Sequence, residues 1–412
     1  MGRMPIARCC RWWSGLMLAA CVSLTLADEP RWLADAQARE GRLGELHAVT
    51  SADNQISFKV PVPRSALADG KTYYAATFQL GRNAVAGCRI FKEDINVAAT
   101  LRAEAATTFA TVVEPAQGRI EKKAIERVDA GAVGATPFLS VSWVYGVNDG
   151  RGSKLGVLRQ YAASHAGHGV YCSMNELGYA RTFEQVVRAV LESLTFSGDH
   201  VAPYYREVSV ASVQGMRLGY SALDLQHDRD GVLKIKETTV LLVTVGADVL
   251  RAEDMYHLEW VRPDGALISG NHLNSSNGEV EENLSLKAGN NGIWRVEGKF
   301  KGKDVSEDIS GVTPSSWLTQ TNLLRALLAR EKPLGAEASF TQWLSVDPGH
   351  FTESTAKVLA AIDARTYSVR ATAGGTSADL VVNQGSGLVT SGTMQVGPVA
   401  MKVERIFVQG AP

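Results

Sequence analysis

The sequence predicts an α+β protein in two parts. The first is an N-terminal α/β sandwich with an antiparallel sheet and two helices. The second is a mostly antiparallel β domain, a curved sheet or half-barrel, with one main helix. Three observations carry this reading. The chain has 412 residues, more than one ordinary hydrophobic core serves, so two domains are expected. The first half mixes period-two alternation with two apolar stripes at helical spacing. In the second half strands dominate, and turn signals recur at short intervals: "HDRDG", "RPDG", "SSNG", "GNNG" and "NQGSG".

Taken in order, "QISFKVPVP" (55–63) opens with the alternation of a half-buried strand and is stopped by prolines. "TYYAATFQL" and "AGCRIFK" continue as strands. Val97, Leu101, Ala105, Thr108 and Val112 then recur at helical spacing, with Asp94 or Asn96 placed to cap the start. Four strand-like runs follow, at 119–128, 137–147, 154–163 and 169–174, divided by turn residues such as "VNDGRGS". Thr182 is expected to cap "FEQVVRAVLESL", whose Phe183, Val186, Val187, Val190, Leu191 and Leu194 form a broad apolar stripe. The polar, proline-bearing "SGDHVAPYY" marks a boundary, giving domains at 28–198 and 199–412. Beyond it, Thr313 with Pro314 reads as a capped helix start, with Trp317, Leu324, Leu327 and Leu328 as the buried stripe. "TYSVRATA", "SADLVVNQ", "GLVTSGTMQV" and "AMKVERIFVQG" read as a closing antiparallel meander.

Composition bounds the function. Hydrophobic residues make up 45% and charged residues 21%, the balance of a chain that buries real cores. The 42 basic and 43 acidic residues are interspersed and leave a net charge of −1, which argues against a nucleic-acid partner. At the N-terminus, Arg3, Arg8 and Arg11 precede an apolar run from Trp12 to Leu26, and Thr25-Leu26-Ala27 carries the small residues a signal peptidase reads. Residues 1–27 are therefore expected to be an export signal, with a soluble periplasmic protein beginning at Asp28. Leu18-Ala19-Ala20-Cys21 offers the alternative of a lipobox, in which Cys21 would be lipidated and would anchor the chain to a membrane. The mature chain holds no stretch long and apolar enough for a membrane-spanning helix. Of five cysteines, Cys9, Cys10 and Cys21 fall in the signal region. Cys88 and Cys172 remain as an even pair in an oxidising compartment, expected to form a disulfide, the alternative being two buried free thiols.

Four patterns suggest chemistry. "HAGHGVYCSMNE" (165–176) brings His165, His168 and Cys172 close in sequence, but a zinc site needs three or four converging ligands. In a strand, residues three apart point to opposite faces, so a loop followed by a structural strand is expected and no metal. "ADGKT" lacks the earlier glycine of a phosphate-binding loop, because Ser65 stands there. "HDRDG" matches part of a calcium loop but has Gln226 where a carboxylate belongs. Neither G-x-S-x-G nor H-E-x-x-H occurs. No catalytic residue and no cofactor is assigned. A Ser/His/Asp-type hydrolase site would have to assemble from residues distant in sequence, in a cleft between domains.

The order strand, strand, strand, helix, four strands, helix, closed by "TFEQVVRAVLESL", resembles the PsbP-like α/β sandwich family over about residues 43–196. The opening "NQISFKVPVP" fits it as well. That resemblance implies a binding or assembly module and designates no particular residue. Residues of about 204–410 are similar in outline to bacterial envelope proteins of the lipoprotein-carrier half-barrel type, most closely in "QGSGLVTSGTMQVGPVAMKVERI" (384–406). It implies a concave face with an apolar cavity for a lipid-like ligand. The combined expectation is an exported, non-catalytic envelope module for a hydrophobic ligand or a partner protein, a structural role in an envelope complex being a further alternative.

Overall fold

The structure, a computed structural model, describes residue 38 and residues 40–412 except 82–83, 117–118, 149–151, 199–200, 229 and 397. The expected signal segment, its cleavage after Ala27 and the alternative lipidation at Cys21 all lie outside the described residues.

Strand-forming segments dominate. The first part runs β1 (His47–Thr50), β2 (Ile56–Val60), β3 (Ala68–Asp69), β4 (Tyr73–Gln79), β5 (Val85–Phe91), α1 (Val97–Ala116), β6 (Arg119–Val133), β7 (Thr136–Asn148), β8 (Ser153–His165), β9 (His168–Met174), α2 (Ala180–Ser193) and β10 (Thr195–Phe196). Instead of one sheet, these make two. One has three strands in the order β1-β2-β10, and the other has seven in the order β3-β4-β5-β9-β8-β7-β6. Alternation along β5 explains how the larger sheet covers both its faces. Ala86, Cys88 and Ile90 point to a core shared with α2 and the small sheet. Arg89, between them, points the other way, pairs with Glu104 of α1 and lies over the Tyr171 ring at 4.7 Å.

The second part is one antiparallel sheet of fourteen strands. It runs through β11 (Tyr205–Val213), β12 (Met216–His227), β13 (Leu233–Thr244), β14 (Leu250–Val261), β15 (Leu267–Ser276), β16 (Glu279–Ala288), β17 (Ile293–Phe300) and β18 (Lys303–Ser310). After α3 (Trp317–Leu328) it resumes with β19 (Glu337–Trp343), β20 (Phe351–Ala361), β21 (Thr366–Ala373), β22 (Thr376–Asn383), β23 (Val389–Val396) and β24 (Val399–Gln409). Each strand pairs with its neighbour in sequence, and β24 pairs with β11, which leaves β18 and β19 as the two edges. The sheet curls back on itself: Trp294 of β17 meets Phe351 of β20 at 6.1 Å, and Trp343 of the edge strand β19 lies 6.3 Å from His257 of β14. Helix α3 fills the curl. Its start, at Trp317 and Leu318, packs with Tyr205, Leu225, Ile235 and Leu284, while Leu327 and Leu328 near its end are buried against Val358, Val369 and Val382. The loop after β22 presses on this helix so closely that a Cβ at Gly387, where φ is +73°, would lie 2.3 Å from the Thr321 carbonyl oxygen.

The convex side of β11–β14 receives the first part. Val97 and Leu101 of α1, Val141 and Trp143 of β7, Val208 and Val210 of β11, and Val240 and Leu242 of β13 form one apolar cluster. At its margin the Ile125 amide donates to the Ala247 carbonyl at 2.7 Å. The joint also supplies a cap. Asp254 of β14, fully buried, accepts hydrogen bonds from the Ala98 and Ala99 amides at 3.1 Å each, at the N-terminus of α1.

The expected caps need correcting at each helix. Asp94 accepts from its neighbour Ile95 and the Asn96 side chain accepts from the Tyr256 hydroxyl at 3.3 Å, so Asp254 does the capping of α1 from across the joint. Thr182 sits inside α2, buried, and accepts the Gly41 amide at 2.9 Å. The cap of α3 is Ser316, three residues past Thr313, and its hydroxyl accepts from the Thr319 amide.

Candidate functional site

Cys88 and Cys172 stand opposite each other in the β5–β9 pairing, with Cα atoms 4.1 Å apart and the sulfurs bonded. Both are buried. His165 and His168 pair across the two-residue turn Ala166-Gly167, whose φ values of +53° and +82° make it a tight hairpin. Each imidazole is occupied locally. His165 bonds the Thr136 hydroxyl at 2.6 Å, and His168 bonds the Phe91 carbonyl at 3.1 Å and stacks on Phe196 at 4.0 Å. "HAGHGVYCSMNE" is thus a hairpin and strand. His227 ends β12, and the Asp228 amide donates to the Val232 carbonyl at 2.8 Å where the chain turns toward β13; Ala68 and Asp69 of "ADGKT" are β3 and its remaining residues lead into β4. Among the described residues no group of three or more His, Cys, Asp or Glu side chains is placed to hold a metal ion.

The hollow of the curled sheet holds a site that no short motif announces. Between α3 and β19–β23 lies a cavity of about 480 Å³, walled by small and apolar side chains including Ala356, Ala371, Ala378, Leu324, Leu380 and Val389. A second chamber of about 240 Å³ lies beside it. Trp317, Gln320, Gln342, Leu344 and Ser345 line both, so the two meet along a common wall. The smaller chamber is polar, and strand register builds it. Glu237 of β13 pairs with His257 of β14, and His257 with His272 of β15, so the three side chains form a row on the concave face. Glu259 stands two residues from His257 on that face.

In this row the carboxylates and imidazoles hold each other. His257 Nε2 lies 3.3 Å from Glu259 Oε1, and Glu259 Oε2 accepts the Trp317 amide at 2.9 Å, at the first turn of α3. Burial pulls the His257 pKa down, but the bond to Glu259 and the charges of Glu259 and Glu237 outweigh it, so the net shift is upward. Although His257 lies deep within the molecule, 31% of its side chain is accessible. It borders the polar chamber. Next to it, His272 is pushed down to about 4 by burial and by the His257 charge. His272 Nε2 lies 3.1 Å from Glu282 Oε2, and burial pushes Glu282 up. Both shifts favour an uncharged pair. Glu237 accepts one hydrogen bond, from the Ser221 hydroxyl at 3.1 Å, and its other oxygen has no donor among the described residues. No serine hydroxyl among the described residues lies within hydrogen-bond distance of His257 or His272, which is the contact an activated nucleophile needs.

A third cavity, about 730 Å³, opens where β6–β8 and α2 face β24. Three of its five arginines are engaged: Arg188 pairs with Glu184 at 3.2 Å, Arg127 with Asp129, and Arg159 with the Glu176 and Gly178 carbonyls at 2.9 and 3.2 Å.

No protein-family model matches the chain, and no curated protein matches it by sequence. Solved structures similar to it include a β-barrel-like protein of the domain of unknown function DUF1849 from Brucella abortus. That one is 13% identical with a TM-score of 0.38, over 50% of this chain and 98% of the other. Another is a DUF1089 family protein from Pseudomonas aeruginosa, 18% identical with a TM-score of 0.26, over 42% of this chain and 88% of the other.

Proposed function

We propose that the chain is an exported, non-catalytic envelope module that holds a hydrophobic ligand in the curl of its fourteen-stranded sheet. The observation that carries this reading is the cavity of about 480 Å³ between α3 and β19–β23. Its volume falls within the range of small-molecule sites, roughly 300–1,000 Å³. The lining mixes small side chains such as Ala356, Ala371 and Ala378 with larger apolar ones such as Leu324, Phe340 and Leu380, which leaves an apolar recess open to solvent that a hydrophobic ligand would cover. Export is supported by the Cys88–Cys172 bond, since such bonds persist in oxidising compartments. Residues 28–198, whose sequence resembles the PsbP-like family, serve in this reading as the platform on which the curled domain at 199–412 is mounted.

The test is uptake of an environment-sensitive apolar dye, N-phenyl-1-naphthylamine, by the purified full chain. The expected result is saturable fluorescence enhancement that Ala371→Trp, placed to fill the cavity, abolishes while the circular dichroism spectrum is unchanged. Absence of saturable binding, or equal binding by a folded Ala371→Trp variant, overturns the reading.

A further inference from the structure

We propose that the two adjoining chambers form one site for a cationic amphiphile, with the apolar tail between α3 and β19–β23 and an amine headgroup at Glu237 and Glu259. This rests on the cavity reading above and specifies the chemistry of its occupant. The first argument is shape. An apolar chamber of about 480 Å³ and a polar one of about 240 Å³ share the wall formed by Trp317, Gln320, Gln342, Leu344 and Ser345, so a molecule with one apolar end and one polar end matches the pair as neither end alone would.

The second argument is charge. Two carboxylates face the polar chamber, Glu237 and Glu259, and only one imidazole there favours a proton. His257 is already bonded to Glu259. His272, held down to about 4, carries no charge at neutral pH. Arg405 is bonded at 3.4 Å to Glu207, which lines the apolar chamber. That leaves two carboxylates against one protonated imidazole, His257, and Glu237 with an acceptor oxygen that has no donor among the described residues. A half-buried carboxylate in a polar recess with this excess of negative charge favours a cation. An ammonium supplies both the charge and up to three donors, for Glu237, Glu259 and the Gln320 or Gln342 amide oxygens. A carboxylate or phosphate headgroup would meet like charge at the same place.

The experiment displaces N-phenyl-1-naphthylamine from the full chain with dodecylamine, dodecanol and dodecanoate, each below its micelle concentration. Dodecylamine is expected to compete roughly tenfold or more better than dodecanol, the scale of a hydrogen bond to a charged group. Glu237→Gln, which keeps shape and hydrogen bonding but removes the charge, should erase that advantage and leave dodecanol unchanged. If dodecanol competes and dodecylamine does no better, or if dodecanoate competes best, the headgroup assignment is overturned while the hydrophobic cavity stands. Should none of the three displace the dye, the inference falls, while the cavity reading is decided by the saturable, Ala371→Trp-sensitive uptake of the dye itself.

Discussion

Asp254→Asn tests how the two parts of the molecule are joined. The carboxylate is buried at the joint and caps α1 from the opposite sheet, through the Ala98 and Ala99 amides. Burial raises its pKa from 3.8 to about 6, even though the two amides pull the other way. The folded state therefore binds this proton more tightly than the unfolded chain does. Stability from the site is fully present below about pH 3.8 and is lost as pH rises through about 6. At 1.36 kcal/mol for each pKa unit, the loss amounts to about 3 kcal/mol by neutral pH. Asparagine is uncharged throughout and keeps one acceptor for the cap, so the variant should lack that slope. The assay is urea unfolding at a series of pH values from about 4 to 7, with stability taken from midpoint and slope. Circular dichroism and tryptophan fluorescence together check that one transition is being followed. The expected outcome is a difference, variant minus parent, that grows by about 3 kcal/mol across this range. Parallel pH profiles would refute the reasoning, since a buried carboxylate with a raised pKa cannot be titration-silent.

His272→Gln should produce the opposite difference. Its pKa falls from 6.5 to about 4 in the fold, so its contribution is present above 6.5 and is lost as pH falls through about 4. The same unfolding series should show the variant gaining about 3 kcal/mol on the parent between pH 6.5 and 4, and a parent-like slope would remove His272 from the buried row. Loss of the Cys88–Cys172 bond, which closes a separation of 84 residues, should lower stability by about 4 to 5 kcal/mol on the chain-entropy account. Reductant should shift the unfolding midpoint of the parent and leave a Cys88→Ala, Cys172→Ala variant unmoved; equal shifts would show that the bond is not formed in solution.

Local signals located most of the elements. Period-two alternation at the start of "QISFKVPVP" predicts a strand that the structure places at 56–60, and "TYYAATFQL" and "AGCRIFK" become the strands at 73–79 and 85–91, because a half-buried strand leaves its period in the residues themselves. The broad stripe from Phe183 to Leu191 predicts α2 in the same way. The cap of α1 is not legible locally because a cap can come from anywhere in the chain. Asp94 is adjacent in sequence to the start of α1, yet the acceptor that satisfies the orphan amides, Asp254, is 156 residues from Ala98. No window along the sequence contains both.

The polar chamber was hidden for a related reason, but a trace of it was present. The "RPDG" turn at 262–265 fixes the β14–β15 hairpin, and counting outward from Val261 opposite Leu267 without interruption would set His257 against Asn271. A bulge between Trp260 and Val261 moves the count by one and brings His272 opposite instead. Because neighbouring residues in a strand face opposite ways, that single extra residue decides whether the second imidazole enters the hollow or points to solvent. Composition does not encode the bulge, so the turn locates the histidine pair to within one residue and leaves its face open. The same argument makes the chamber sensitive at a distance. Removing Asn271 with the bulge kept would set Leu273 opposite His257 and rotate His272 out of the row with Glu237 and His257, reshaping the chamber although none of its lining residues had been replaced.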